Sequence, residues 1–307
     1  MSEIKNTSDL LHIEHKKLID GDARKNAIMT EYEKFDILTG GFDGGSLITI
    51  GGRTAMGKTA LMLNIAKNVA SKNIPVLYEN LETTNEQFIE KLLSCTTGIE
   101  LQKIRNWELS KEDWGTLDQK VSNLQSLPIF VDSRSTATID QLCEDISKNV
   151  REKNIKLVII DYLQLMYTKV SAPSDNRYGD LNYYTRRLKS LAKELNVPII
   201  IVSQLNRNVE KEKTGLSPSA YRPTLTDLRD SGTICDDSDV VIFLYRPEYY
   251  QIYEDDKGFD MRGKAILIVA KNRFGYTGDV MLDCQLGSVR FTSPKSVNET
   301  PEIEPPF

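Results

Sequence analysis

The run Gly52-Arg53-Thr54-Ala55-Met56-Gly57-Lys58-Thr59 carries two glycines, a lysine and a hydroxyl at the spacing G-x-x-x-x-G-K-[ST], which is the set a polyphosphate requires. Glycines let backbone N–H groups approach phosphate oxygens, and a helix that starts at the end of such a loop adds about half a positive charge there. Lys58 is expected to grip the β- and γ-phosphates and Thr59 to ligate Mg²⁺. The chemistry implied is nucleoside triphosphate binding and hydrolysis. The flanking sequence agrees: the apolar Leu47-Ile48-Thr49-Ile50 precedes the loop and the helical Ala60-Leu61-Met62-Leu63-Asn64-Ile65-Ala66 follows it.

Three further runs end in polar groups suited to the same reaction. Leu157-Val158-Ile159-Ile160-Asp161 is an apolar strand closed by a carboxylate, at the strand edge where ligands of open α/β sheets bind. Asp161 is expected to hold Mg²⁺ with Thr59, as a Walker B aspartate does. Tyr162, not a glutamate, follows it, so the group that activates the attacking water must come from elsewhere. Val76-Leu77-Tyr78-Glu79-Asn80-Leu81-Glu82 offers two carboxylates; either is compatible with an exposed loop charge, and Glu79 reads as one. Ile199-Ile200-Ile201-Val202-Ser203-Gln204 ends in a neutral amide, suited to sensing the γ-phosphate or water without competing with Mg²⁺.

The elements that must position these groups alternate along the chain. Apolar runs at 47–50, 76–78, 129–131, 157–160 and 197–202 are interleaved with helical patterns at 85–97, 139–152 and 180–195, which predicts a mostly parallel sheet with helices on both faces. After Asp239 strands follow one another, at 240–245, 265–270, 280–283 and 289–291, so an antiparallel C-terminal edge completes the sheet. Residues 1–30 read as a helical linker or extension, with a loosely amphipathic helix near 9–20 that packs on something else. Residues 31–292 read as the catalytic domain and 293–307 as a disordered tail.

Composition narrows the class. With 307 residues and 40% hydrophobic content a large core is available, and a net charge of −5 excludes a protein that coats nucleic acid over its whole surface. Cys95, Cys143, Cys235 and Cys284 are widely spaced, and the histidines, His12 and His15, stand near the start; a reduced, cytoplasmic protein without structural zinc is expected. The absence of a long apolar run excludes a membrane span.

Taken together, these motifs resemble the RecA-like motor domain of the DnaB-type replicative helicases. The resemblance rests on the loop 53–59, on Asp161-Tyr162-Leu163-Gln164-Leu165-Met166, on Leu191-Ala192-Lys193-Glu194-Leu195-Asn196-Val197-Pro198, on Ser203-Gln204-Leu205-Asn206-Arg207, and on Arg222-Pro223 through Asp227-Leu228-Arg229-Asp230-Ser231-Gly232. It covers about residues 30–292. It implies that ATP and Mg²⁺ are the cofactors and that Glu82, rather than Glu79, polarises the hydrolytic water. It also implies that Lys271 and Arg273 reach the ATP of a neighbouring subunit, Arg273 as an arginine finger; by pattern alone the pair is one solvated face of an edge strand. Arg229, Asp230 and Gly232 resemble a central-channel element that contacts single-stranded DNA, and the stretch 168–180, with Lys169 and Arg177, also stands where it can face the channel.

The resemblance further implies a homohexamer acting on single-stranded and forked DNA with 5′-to-3′ polarity, and partners such as a helicase loader or primase. Two departures stand out. Phe274-Gly275-Tyr276-Thr277-Gly278 replaces the family's usual Gly-Pro turn after the finger, and the first 30 residues leave no room for the family's helical N-terminal domain. The alternative function is a RecA-like ATPase that remodels nucleoprotein, or modulates another helicase ring, without unwinding DNA itself.

Overall fold

Runs of β-branched and large apolar residues, unbroken by charge, belong where both faces of a strand are covered. Such runs form β1 (Leu47–Gly52), β2 (Val76–Asn80), β4 (Leu157–Asp161), β5 (Ile199–Gln204) and β6 (Val240–Tyr245), buried throughout except at Gln204. With β3 (Ile129–Asp132) they make a parallel array in the order β6-β1-β5-β4-β2-β3. The computed structural model describes residues 6–19, 27–133, 138–161, 177–205, 221–294 and 303–304.

The two-residue period of a strand sends alternate side chains to opposite layers. Ile48, Ile50, Ile159, Ile200 and Val202 face a core built with α3 (Lys58–Ala70) and α4 (Asn85–Thr97). Leu47, Val158, Ile160, Ile199 and Ile201 face a second core built with α7 (Ile139–Lys153) and α8 (Arg177–Leu195). The expected helices on both faces are therefore present.

Beyond β6 the sheet continues antiparallel through β7 (Lys264–Asn272), β8 (Thr277–Gln285) and β9 (Arg290–Thr292). The last of these starts one residue later than the apolar pattern indicates, because Val289 takes a left-handed φ of 55° and caps the preceding turn. Past Pro294 the described residues are Ile303–Glu304, a two-residue strand β10 that pairs with Thr277 and Gly278 of β8.

The sequence pattern had not revealed α2 (Glu33–Thr39), α5 (Leu101–Arg105) or α6 (Lys111–Gln125). No residue of α5 or α6 is buried, so neither carries a strong apolar stripe; the available signal was the capping box of Ser110 and Asp113. The N-terminal helix α1 runs Thr7–Ile19, and Leu10, Leu11, Ile13, Leu18 and Ile19 are all exposed on it. No helix among the described residues is long and apolar enough to cross a membrane.

At the N-terminal edge of the parallel strands one buried carboxylate joins several elements. Asp239, 2% exposed, accepts from the backbone N–H of Leu47 at 2.8 Å, from Lys189 Nζ of α8 at 2.5 Å and from the Arg273 guanidinium at 3.3 Å. Lys189 also donates to the Gly45 carbonyl at 2.8 Å. Removing one member of a buried ion pair strands the other charge, so Asp239→Ala is expected to lower unfolding free energy by about 3–5 kcal/mol in urea titrations. Asp239→Ala combined with Lys189→Met should lose less than the two single changes added together; strict additivity would show that the pair is not coupled.

Candidate nucleotide site

The phosphate-binding run connects β1 to α3 and bends back on itself through two left-handed residues, Ala55 at φ 63° and Gly57 at φ 97°. A Cβ on Gly57 would stand 2.8 Å from Leu286 Cδ2 and 3.2 Å from the Phe291 ring, so the loop rests on the antiparallel strands with glycine alone fitting there. Gly52 closes β1, and Met56 is buried beneath the loop. Arg53 donates to the Leu205 carbonyl at 3.3 Å. Thr54 and Ala55 are exposed on the rim.

Lys58 Nζ lies on the Gly52 and Arg53 carbonyls at 2.8 and 2.9 Å. Burial pushes its ammonium down to about 8 from 10.5, against the opposing pull of Asp161 and Glu82. A lysine so poised gains from any anion brought into the loop. Thr59, in the first turn of α3, lines the same cavity as Asp161, and burial raises the pKa of that carboxylate against the opposing influence of the Thr59 and Tyr78 hydroxyls.

This donor set is made of oxygen and contains one carboxylate, which fits a Mg²⁺ ion shared with phosphates rather than an all-protein cage. Among the described residues no cluster of three or more His, Cys, Asp or Glu could hold a metal by itself. With a nucleotide bound, Thr59 and Asp161 would hold Mg²⁺, which would supply neutralisation of phosphate charge.

Glu82 and Gln204 line the same cavity as Lys58, Thr59 and Asp161. Asn80 pairs with Asp161 across β2 and β4, and Leu81 N donates to the Asp161 carbonyl at 2.9 Å, which brings Glu82 to the mouth. Partial burial and then the Asp161 charge raise its pKa, the direction a general base needs. Gln204 ends β5 opposite Gly52 and donates to Thr54 Oγ1 at 2.7 Å. Glu79 corrects the sequence reading: it is no exposed loop charge but a strand residue, 1% exposed. Strand alternation sends it to the face opposite Tyr78.

Lys271 and Arg273 stand elsewhere. Val240 opposes both Ile48 of β1 and Asn272 of β7, so these cations flank the first residues of β1. Gly52 lies roughly 13 Å farther along that strand at about 3.3 Å per residue. Both cations bond the last carbonyls of a short helix, α9 (Gly232–Asp237): Lys271 Nζ to Cys235 O at 2.7 Å and Arg273 to Asp236 O at 2.8 Å. Carbonyl ends of helices favour such cations.

The segment with Arg229 and Asp230 is a 3-10 turn, Leu225–Ser231, that runs directly into α9 at Gly232 and is anchored by buried Leu228. Arg177 begins α8. The stretch 168–176, with Lys169, and the motif residues 162–166 and 206–207 lie outside the described residues.

Sequence reasoning missed Asp239 and Tyr78. Asp239 reads only as the polar boundary of an apolar run, and Tyr78 is indistinguishable from a core aromatic until its hydroxyl has a partner.

The depressed pKa of Lys58 gives a linkage with a definite sign. Above about pH 8 the free loop holds a neutral lysine, while a bound triphosphate favours the ammonium, so binding must draw a proton in between about 8 and 10.5. ATP measured without Mg²⁺ should bind more weakly as pH rises through that window. The calorimetric enthalpy should depend on the buffer's ionisation heat, and both effects should vanish in Lys58→Met. A pH-independent affinity in the unmodified chain would show that Lys58 does not carry the charge.

Residues 27–293 match the family described as DnaB-like helicase C terminal domain. A probable replicative DNA helicase of Trieres chinensis is 42% identical over 259 residues, covering 83% of this chain and 55% of that protein. The replicative DNA helicase DnaB of Geobacillus stearothermophilus is 34% identical over 282 residues, covering 91% of this chain and 60% of that protein. The chain thus spans little more than half the length of these curated relatives. Among solved structures, the ATPase domain of G40P superposes with a TM-score of 0.85 at 28% identity, covering 95% of this chain and 100% of that one. A DnaB-like replicative helicase, described with its interactions with primase, gives 0.81 at 28% identity over 96% and 68%. The phosphate loop on β1, the carboxylate on β4 and the antiparallel edge are those of a RecA-like ATPase, and the chain belongs to the DnaB-like helicase C-terminal domain family.

Proposed function

We propose that this chain is the motor of an ATP-driven replicative DNA helicase, acting as a hexameric ring that encircles one DNA strand and moves along it 5′ to 3′. Each ATP is held between two copies. Residues 52–59 bind the phosphates, Thr59 and Asp161 hold Mg²⁺, Glu82 polarises the attacking water and Gln204 senses the γ-phosphate. Lys271 and Arg273 serve the ATP of the next copy, where an arginine stabilises transition-state charge.

The observation that carries this reading is the division of these groups between opposite edges of one sheet. Arg273 bonds the Asp239 carbonyl through its own N–H at 2.9 Å, at the edge of β1 remote from Gly52, so it is out of reach of the ATP bound by its own chain. A finger facing away from its own nucleotide is useful only to a neighbour, and head-to-tail contacts of that kind close into rings. Arg229 and Asp230 precede, and Gly232 begins, the helix whose carbonyl end Lys271 and Arg273 hold, so a shift of the DNA-contacting turn is passed to the finger through six residues of α9. Arg177, at the start of α8, adds a phosphate contact.

Strand displacement on forks bearing a single 5′ or 3′ tail tests the helicase reading. Displacement is expected only with the 5′ tail and not at all in Lys58→Ala. A sample shown to be hexameric that displaces neither strand would sink the helicase reading. For the shared site, Arg273→Ala and Lys58→Ala should each be inactive alone, with Arg273→Ala still binding nucleotide. Mixed, they should recover DNA-stimulated hydrolysis, because Lys58→Ala subunits still carry the finger that Arg273→Ala sites lack. Normal turnover by Arg273→Ala alone, or no recovery on mixing, would overturn the trans assignment.

A further inference from the structure

We propose that Tyr78 is a positioning residue for the reaction: its phenol fixes the orientation of the Asp161 carboxylate that meets the metal. The inference rests on the reading of Asp161 as a Mg²⁺ ligand and adds to it the group that holds that ligand still.

Tyr78 is the third residue of β2 and pairs with Ile159 of β4, two residues before Asp161. Residues two apart on a strand share a face, so Tyr78, Ile159 and Asp161 all face the layer that contains α3. The phenol is wholly buried, and its O–H donates to Asp161 Oδ2 at 2.9 Å, while Asp161 itself is 1% exposed. Burial and the Asp161 charge hold the phenol far above its ordinary pKa, so it remains a donor.

Packing explains the ring but not the hydroxyl. The ring meets Phe88 of α4 edge to face, with centroids 4.9 Å apart and an interplanar angle of 66°. A phenylalanine would make the same contact. The oxygen has a different consequence: Asp161 is held from the core side by Tyr78, while its other side opens on the cavity that it shares with Thr59 and Lys58. With Oδ2 engaged, rotation of the carboxylate is restricted before any cation arrives. Partners that orient a metal ligand from behind tune affinity by their own hydrogen bonds. Because Glu82 lies two residues past the end of the same strand, a displacement of β2 would move the orienting hydroxyl and the candidate base together.

The test is Tyr78→Phe in the full chain, which keeps the ring and removes only the donor. Mn²⁺ binding to the ATP-loaded protein is read by electron paramagnetic resonance, beside the Mg²⁺ concentration for half-maximal hydrolysis and ATP affinity in chelator. Metal affinity is expected to fall about 10-fold, the lower end of what losing such a partner does, with ATP affinity in chelator unchanged. Phe88→Leu, which loosens the ring but spares the hydroxyl, should lower thermal stability and leave metal affinity alone. Unchanged Mn²⁺ binding in Tyr78→Phe, or an equal loss in Phe88→Leu, overturns the proposal. Asp161→Asn serves as the separate control: unchanged metal affinity there would remove the underlying reading of Asp161 itself.

Discussion

The central strand of the sheet is held at its base by one buried carboxylate. Asp239 satisfies the first N–H of β1, neutralises Lys189 from α8 and anchors Arg273 from the strand beyond β6. A buried charge persists only where its partners are all in place, so the packing of α8, the start of β1 and the end of β7 are mutually fixed. That junction sets where β1 begins, and the length of β1 then sets where the phosphate loop is released.

The groups proposed to serve this chain's own nucleotide emerge at the other end of the strands. Gly52, Asp161 and Gln204 are the last residues of β1, β4 and β5, and parallel registry brings them to one edge. Polar groups there lean on their neighbours: Lys58 on two carbonyls, Asp161 on the Tyr78 hydroxyl, Gln204 on Thr54. The edge around Asp239 carries cations instead, and the proposed ring joins the cationic edge of one copy to the nucleotide edge of the next. The same cations hold α9, which ties the turn proposed to contact DNA to the proposed finger.

Much of this was legible in the chain. The five buried strands, α3, α4, α7 and α8 follow from the alternation of apolar runs with helical patterns, and the loop 52–59 declares its chemistry by residue type. Helices α5 and α6 were not legible, since neither buries a residue, and Glu79 was misread because a carboxylate near a strand end looks the same whether it turns inward or out. Tyr78 was hidden for the complementary reason that a tyrosine in an apolar strand looks like core.

The sequence by itself determined the local chemistry, because glycine, lysine, threonine and strand-ending carboxylates act through backbone geometry and charge that neighbours in the chain largely set. Tertiary structure alone decided which of these groups meet. Asp161 and Tyr78 are 83 positions apart and share a hydrogen bond, whereas Lys58 and Arg273 are separated by the length of β1. Registry between strands, fixed by burial on both faces and by the Asp239 junction, is a property of the assembled sheet and not of any one of its segments.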